Sequence, residues 1–265
     1  MAALTAKDRV LETPEILESI LLQLPVRDLL VTSQRVNHAW KNIVLSSPMI
    51  QEALFFRTRS RNSDQEPSFN PLLQASFAPW FKDGDDDISR PCRSCINFSA
   101  LDWNRSDAKR EAYARKEASW RKMLPVHPAV KRLEVVKRSN EMGGSTECIG
   151  ESYFEDGVRM GSLYDLAQGE AQWPITRVGV SWVRGEAQSE LSGLARNLGL
   201  GKEKDKVLVN INWTMQCCSG GSDHLGPEFE SLGYEGVNIK WGQQKDITFR
   251  WSLLFRITML LSWLY

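Results

Sequence analysis

Pro14, Pro25 and Pro48 cut the first fifth of the chain into short apolar segments. Proline ends or opens a helix and is rarely found inside one. Each segment therefore predicts a helix of roughly ten residues, too short to be stable alone in water. A module below about 50 residues buries little of its own surface. The apolar stripes must pack on one another, and the module has a physical reason to seek a partner.

The stripes follow helical spacing. Thr13 is expected to cap the first helix, with Pro14 at its first position and Glu15 at the positive end of its dipole. At about 100° per residue, Ile16, Leu17, Ile20, Leu21 and Leu24 form a stripe roughly 140° wide, with Glu15 and Glu18 outside it. Pro25 stops this helix, and Leu29, Leu30 and Val31 make a short apolar turn. The next helix is expected to place Val36, Ala39, Trp40, Ile43 and Val44 on one face, away from Arg35, His38, Lys41 and Asn42. Ser46, Ser47 and Pro48 punctuate, and a last helix runs through Ile50, Leu54 and Phe55.

Beyond this module the character changes. The polar stretch 57–70 carries Arg57, Arg59, Arg61, Asp64, Glu66 and Pro67 and reads as a linker. Residues 106–124 predict a charged helix bearing Tyr113, Trp120, Met123 and Leu124, stopped by Pro125. The period then becomes two. Residues 132–136 alternate weakly, and Val178, Val180 and Trp182 alternate with polar or small residues. Val207, Val209, Ile211, Trp213, Met215 and Cys217 form one face of a longer run. Val237, Ile239 and Trp241, then Ile247, Phe249, Trp251 and Leu253, repeat the pattern. Such alternation describes strands with one wet face and favours an antiparallel sheet. Leu191, Leu194, Ala195 and Leu198 make a short amphipathic helix ended by Gly199 and Gly201. The expected fold is α+β: a tail over 1–10, an all-α module over 11–56, a linker over 57–70, and a mainly antiparallel sheet domain with a few helices over 71–265.

Composition narrows the functional classes. The chain has 265 residues, 42% hydrophobic and 25% charged, which is ordinary for a folded protein. Lys plus Arg equals Asp plus Glu at 33 each, so no overall charge draws the chain to nucleic acid or an acidic membrane. Five cysteines without a framework favour a reducing compartment. Lys7, Asp8 and Arg9 interrupt the N-terminus, where a secretory signal would need an apolar core. Cytosol or nucleus is the expected location.

The run Thr13-Pro14-Glu15-Ile16-Leu17, then Ile20-Leu21, Leu24-Pro25, Asp28-Leu29-Leu30 and Arg35-Val36-Asn37-His38-Ala39-Trp40 resembles the F-box motif. That motif opens with Leu-Pro-x-Glu, carries a second Leu-Pro after one helix, and places a Val and a Trp on a later helix. Thr13 stands where the opening Leu usually sits. Asn70-Pro71-Leu72-Leu73, Trp120-Arg121-Lys122-Met123-Leu124-Pro125 and Leu163-Tyr164-Asp165-Leu166 are similar to segments of F-box proteins of filamentous fungi. The resemblance implies docking to a Skp-type adaptor on a cullin-RING scaffold. The C-terminal domain would hold a protein substrate near the conjugating enzyme and perform no chemistry itself. The positions implied at the adaptor interface are Pro14, Leu17, Ile20, Leu21, Leu24, Pro25, Leu29, Val36 and Trp40. An adaptor-bound scaffold or trafficking factor outside any ligase uses the same module. A small enzyme with a helical extension would instead need a deep pocket with converging polar groups.

Other constellations point elsewhere. Cys92 and Cys95 supply two of the four ligands that a structural zinc site needs. Cys148, Cys217, Cys218 and His127 form no second pair at finger spacing, so thiols without a metal are expected. The acidic run 83–87 lacks the bidentate Glu of a calcium loop and reads as a solvated loop. His38, His127 and His224 are the only histidines, and no Ser/His/Asp order stands out. The glycine pairs at 143–144 and 220–221 read as loops rather than phosphate cradles. No catalytic residue, cofactor or metal is expected. Residues 251–265 are largely apolar but broken by Arg256, and a membrane span needs about 20 apolar residues. Odd positions from Ile247 to Trp263 are apolar, so strands fit that end better than an anchor.

Overall fold

The computed structural model describes residues 13–59, 67–81, 96–97, 101–141, 144–170, 176–183, 205–214, 239–241 and 245–247. Four short helices come first: α1 (Pro14–Leu21), α2 (Val26–Val31), α3 (His38–Ser46) and α4 (Pro48–Ala53). Their boundaries are chemical. Pro14 occupies the first turn of α1, where its missing N–H costs no bond. Thr13 lies at the cap position through its main chain, and its side chain makes no capping bond. Asn37 caps α3, its Oδ1 accepting from Trp40 N at 2.8 Å. Val36 therefore stands before the helix rather than on its face. Ser47 caps α4 by accepting from Ile50 N at 3.1 Å, and its hydroxyl donates to the Glu18 carboxylate, tying α1 to α4.

These helices enclose a core of their own. Leu17, Leu21, Leu29, Val44, Ile50 and Leu54 are buried together, with Leu24, Trp40 and Ile43 packed against them. Neighbouring stripe residues Ile16 and Ile20 remain exposed. The stripe read from the sequence is wider than the core it serves.

The second body starts before the expected end of the linker. Strand β1 (Ser68–Phe69) pairs antiparallel with β3 (Val126–His127), and Asn70 is fully buried. Its Oδ1 accepts from Leu72 N and Leu73 N at 3.0 and 3.3 Å, capping α5 (Pro71–Ser76). Its Nδ2 donates to Leu124 O at 3.4 Å. The charged stretch 106–124 is not one helix. It forms α6 (Asp107–Ala114) and a separate 3-10 turn at Ser119–Lys122. In a continuous helix, seven residues would hold Tyr113 and Trp120 about 10 Å apart along the axis. The break brings their ring centroids to 5.8 Å in an aromatic cluster around Phe77.

The main sheet contains, among the described residues, β2 (Ile96–Asn97), β4 (Arg132–Glu141), β5 (Gly144–Tyr153), β6 (Thr176–Val183), β7 (Lys206–Thr214), β8 (Lys240–Trp241) and β9 (Lys245–Ile247). Its order is β2-β6-β7-β4-β5-β8, with β9 also on β5. Every pairing is antiparallel except the central β4–β7 pair, which is parallel. The fold is α+β.

One face of the sheet is apolar apart from Lys137 of β4, which is fully buried on it. Leu133 and Val135 of β4 align with Val207 and Val209 of β7, and these with Trp182 and Val180 of β6. Helix α7 (Met160–Glu170) adds Leu163, Tyr164, Leu166 and Ala167 to the same core. The opposite face is not simply wet, as alternation had suggested. Val136 and Leu208 are fully buried there, beside Glu134. Charges on that face are paired: Arg132 with Glu134 and Glu151, and Arg138 with Glu147. Strand β5 and helix α7 escape simple periodicity. Cys148, Gly150 and Ser152 are the residues of β5 opposite Lys137, Val135 and Leu133, so small side chains stand where large ones mark a strand. Helix α7 contains Gly161, where an added Cβ would stand 2.9 Å from Arg121 O.

The expected helix at 191–198 and the chain end 251–265 lie outside the described residues, as do Cys92, Cys95, Cys217, Cys218, His224 and the acidic run 83–87.

Asn70→Ala removes a buried cap and leaves amides without an acceptor. It is expected to lower stability by about 2 kcal/mol, read from the midpoint of equilibrium urea unfolding.

Candidate functional site

The surface of the N-terminal module is the strongest candidate site. A charged or polar coat would be the ordinary choice for the outside of so small a unit. Instead Ile16, Ile20, Val31, Val36, Leu45 and Met49 are exposed large apolar residues. Ile16 and Ile20 lie one turn apart on α1 and so share a face. Ile20 is 40% exposed, Val36 53% and Met49 59%. A contiguous apolar patch on a folded module is the kind of surface a partner covers, whereas a single exposed apolar side chain is ordinary.

The nine residues implied at an adaptor interface divide into three groups. Pro14, Ile20, Pro25 and Val36 are exposed and accessible to a partner. Leu24 and Trp40 are half-buried, packed on the module core with one side outward. Leu17, Leu21 and Leu29 are buried at 0%, 0% and 1% exposure, so they hold the module together and cannot touch a partner directly. Sequence reasoning did not assign Ile16, Val31, Leu45 and Met49 to the surface set. Ile16 belongs to the α1 stripe and Val31 to the apolar turn, whereas Leu45 and Met49 lie outside the expected stripes, so spacing gave them no role.

The module is fastened to the second body at the end of α4. Phe55 has φ of 61°, a left-handed conformation unusual for a bulky residue. Its carbonyl accepts from Leu124 N at 2.7 Å, and its ring stacks on His127 with centroids 4.2 Å apart. His127 is buried, and its Nε2 is 2.9 Å from Glu52 O. Since a carbonyl only accepts, Nε2 carries the hydrogen. The buried Nδ1 has no hydrogen-bond partner among the described residues. Arg159 adds one more tie across the joint, donating from Nη1 to Phe56 O at 2.7 Å, while a second bond from Nη1 to Lys122 O at 2.6 Å anchors the guanidinium within the second body. Leu30 and Phe56 pack against both cores.

Electrostatics at this joint favour neutral histidine. Burial pushes the His127 imidazole below its usual range, opposed by its bond to the Glu52 carbonyl; the Arg59 charge lowers it further and the Glu52 charge raises it. Burial likewise lowers the Arg159 guanidinium, with Asp156 acting against it. Among the described residues, no group of three or more His, Cys, Asp or Glu could hold a metal ion. His38 is exposed, and Cys148 is buried and forms no disulfide among the described residues. No helix among the described residues is long and apolar enough to cross a membrane.

Comparison with known proteins adds no relative: no family model matches the chain, and neither the curated proteins nor the solved structures contain a match.

The histidine has a consequence for pH dependence. Its folded pKa lies below the unfolded value of 6.5. As pH falls below that value, the unfolded state takes up a proton that the folded state refuses. Stability is thus fully present above about pH 6.5 and declines on acidification until the lower folded pKa is passed. Melting temperature measured against pH should show this decline, and His127→Gln should flatten it.

Proposed function

We propose that the chain is the substrate-recruiting subunit of a Skp–cullin–F-box type ubiquitin ligase. The N-terminal helices dock the Skp-type adaptor, and the α+β body holds a protein substrate. The observation that carries this reading is the exposed apolar set Ile20, Val36 and Pro25 beside half-buried Leu24 and Trp40, all at positions where the sequence resembles the motif. A partner that covers these residues would bury aliphatic and aromatic anchors, the kind that dominate protein interfaces. The core of Leu17, Leu21 and Leu29 supports that surface from beneath. The ties at Phe55, His127 and Arg159 support the second half of the reading. A receptor must hold its substrate at a defined distance from the adaptor, and a fastened module does so better than one on a flexible tether.

In this reading the chain performs no chemistry, needs no cofactor, and works in the cytosol or nucleus. An adaptor-bound scaffold or trafficking factor would use the same surface and differs only in lacking the cullin and a degraded substrate.

The test is a pull-down after co-expression of the full chain with a fungal Skp-type adaptor. Wild type is expected to retain the adaptor and, through it, a cullin. Ile20→Asp combined with Val36→Asp changes only exposed positions, so the protein should stay folded and lose the adaptor. Failure of folded wild-type protein to retain any adaptor would sink the proposal. Retention of adaptor without cullin would favour the scaffold reading.

A further inference from the structure

A cleft of about 550 Å³ opens at the joint between the two bodies. Gln51 and Phe56 of the N-terminal module form one wall. The other wall comes from Arg121 and Lys122 and from Arg159 with the first turn of α7. Three cationic side chains thus line a space that contains one carboxylate, Asp165.

That carboxylate is already engaged. Both Asp165 oxygens accept from the Arg121 guanidinium. Arg121 also lies over the Trp120 and Tyr164 rings, 5.3 and 5.5 Å from their centroids, which orients it toward its ion pair. Arg121 and Asp165 therefore neutralise one another. Among the described residues, Lys122 and Arg159 form no ion pair, so two positive charges remain. Lys122 is exposed at the rim. The Arg159 bonds go to two main-chain carbonyls, which are neutral, so its charge is held in place without being cancelled. Asp156, the acid that bears on it electrostatically, is itself exposed to solvent.

The main chain adds to this positive field. Helix α7 spans 11 residues and points its N-terminal end into the cleft at Gly161 and Ser162. Met160 N bonds Met123 O, while Ser162 N and Leu163 N share Arg159 O. The Gly161 amide is left as the one in that first turn with no main-chain acceptor among the described residues. Two uncancelled cations and a helix start suit a doubly charged anion better than a single carboxylate. Phe56 supplies an apolar wall for the carbon stem that such an anion would carry.

We propose that this cleft binds a phosphate monoester, held by Lys122, Arg159 and the start of α7, with its organic part against Phe56. Because the ligand touches both bodies, it also clamps the joint and stabilises the docked arrangement by mass action. This inference does not rest on adaptor docking and stands or falls separately.

The test is isothermal titration of the full chain with phenyl phosphate, inorganic phosphate and a phosphoserine-containing tripeptide amide, paired with melting curves. The expected result is saturable one-to-one binding of phenyl phosphate or the phosphopeptide, tighter than that of inorganic phosphate, with a raised melting temperature. Lys122→Ala should weaken binding about tenfold without altering the melting temperature of the unliganded protein, since that side chain is exposed. Ser162→Asp puts a negative charge in the cleft and should abolish binding. Equal affinity for inorganic phosphate and phenyl phosphate would show that Phe56 holds no organic part and would overturn the monoester assignment. Tighter binding of the peptide would identify a phosphorylated chain segment. No saturable binding of any probe at concentrations on the order of 10 mM, or binding that Lys122→Ala leaves unchanged, would overturn the proposal.

Discussion

The arrangement of the two bodies depends on Phe55. A non-glycine residue in the left-handed region costs on the order of 1–2 kcal/mol, and Phe55 adopts it at φ of 61°. That cost is offset locally. Phe56 N and Arg57 N both bond Gln51 O, closing the end of α4. The turn then presents the Phe55 carbonyl to Leu124 N and its ring to His127. A regular extension of α4 would carry both groups away from these partners. The same turn sets Phe56 beside Arg159 and so shapes the cleft between the bodies. One unfavourable backbone conformation therefore decides how the helical module faces the sheet.

The sheet body solves a different problem, which is to bury charge without losing register. Arg132, Glu134, Glu151, Arg138 and Glu147 occupy the face opposite α7 and are mostly out of water. Buried ion pairs add little net stability, since desolvation opposes their attraction, but an unpaired partner is costly. That asymmetry penalises misalignment. A one-residue slip of β4 would turn Glu134 toward the apolar core and Leu133 away from it. The paired charges and the apolar face thus specify the same register from opposite sides.

Much of the local structure was legible because it is governed by neighbours in sequence. Pro14, Pro25 and Pro48 announce the short helices, and alternation along β6 and β7 announces two strands. The elements that were not legible share one cause: their residues answer to distant packing. Strand β5 opposes the large residues of β4 with Cys148, Gly150 and Ser152, so it lacks an apolar signature. Gly161 of α7 is set by the nearby Arg121 carbonyl, a contact forty residues away in the chain. The stretch 106–124 looks helical throughout, yet it breaks so that Trp120 and Tyr113 can join the Phe77 cluster.

The candidate sites divide in the same way. The sequence alone determined that a small helical module precedes the sheet segments, that its short apolar stripes must pack on one another, and that no charge excess or cysteine framework directs it elsewhere. Those are properties of composition and short-range spacing. Only the tertiary structure decided that Leu17 and Leu21 turn inward while Ile16 and Ile20, on the same stripe, stay in water. Only the tertiary structure brought Arg159 to Phe56 across 103 positions of sequence and left its charge facing a cleft. Periodicity reports which residues share a face of one element. What that face meets depends on how the elements pack, and side chains distant in sequence set that packing.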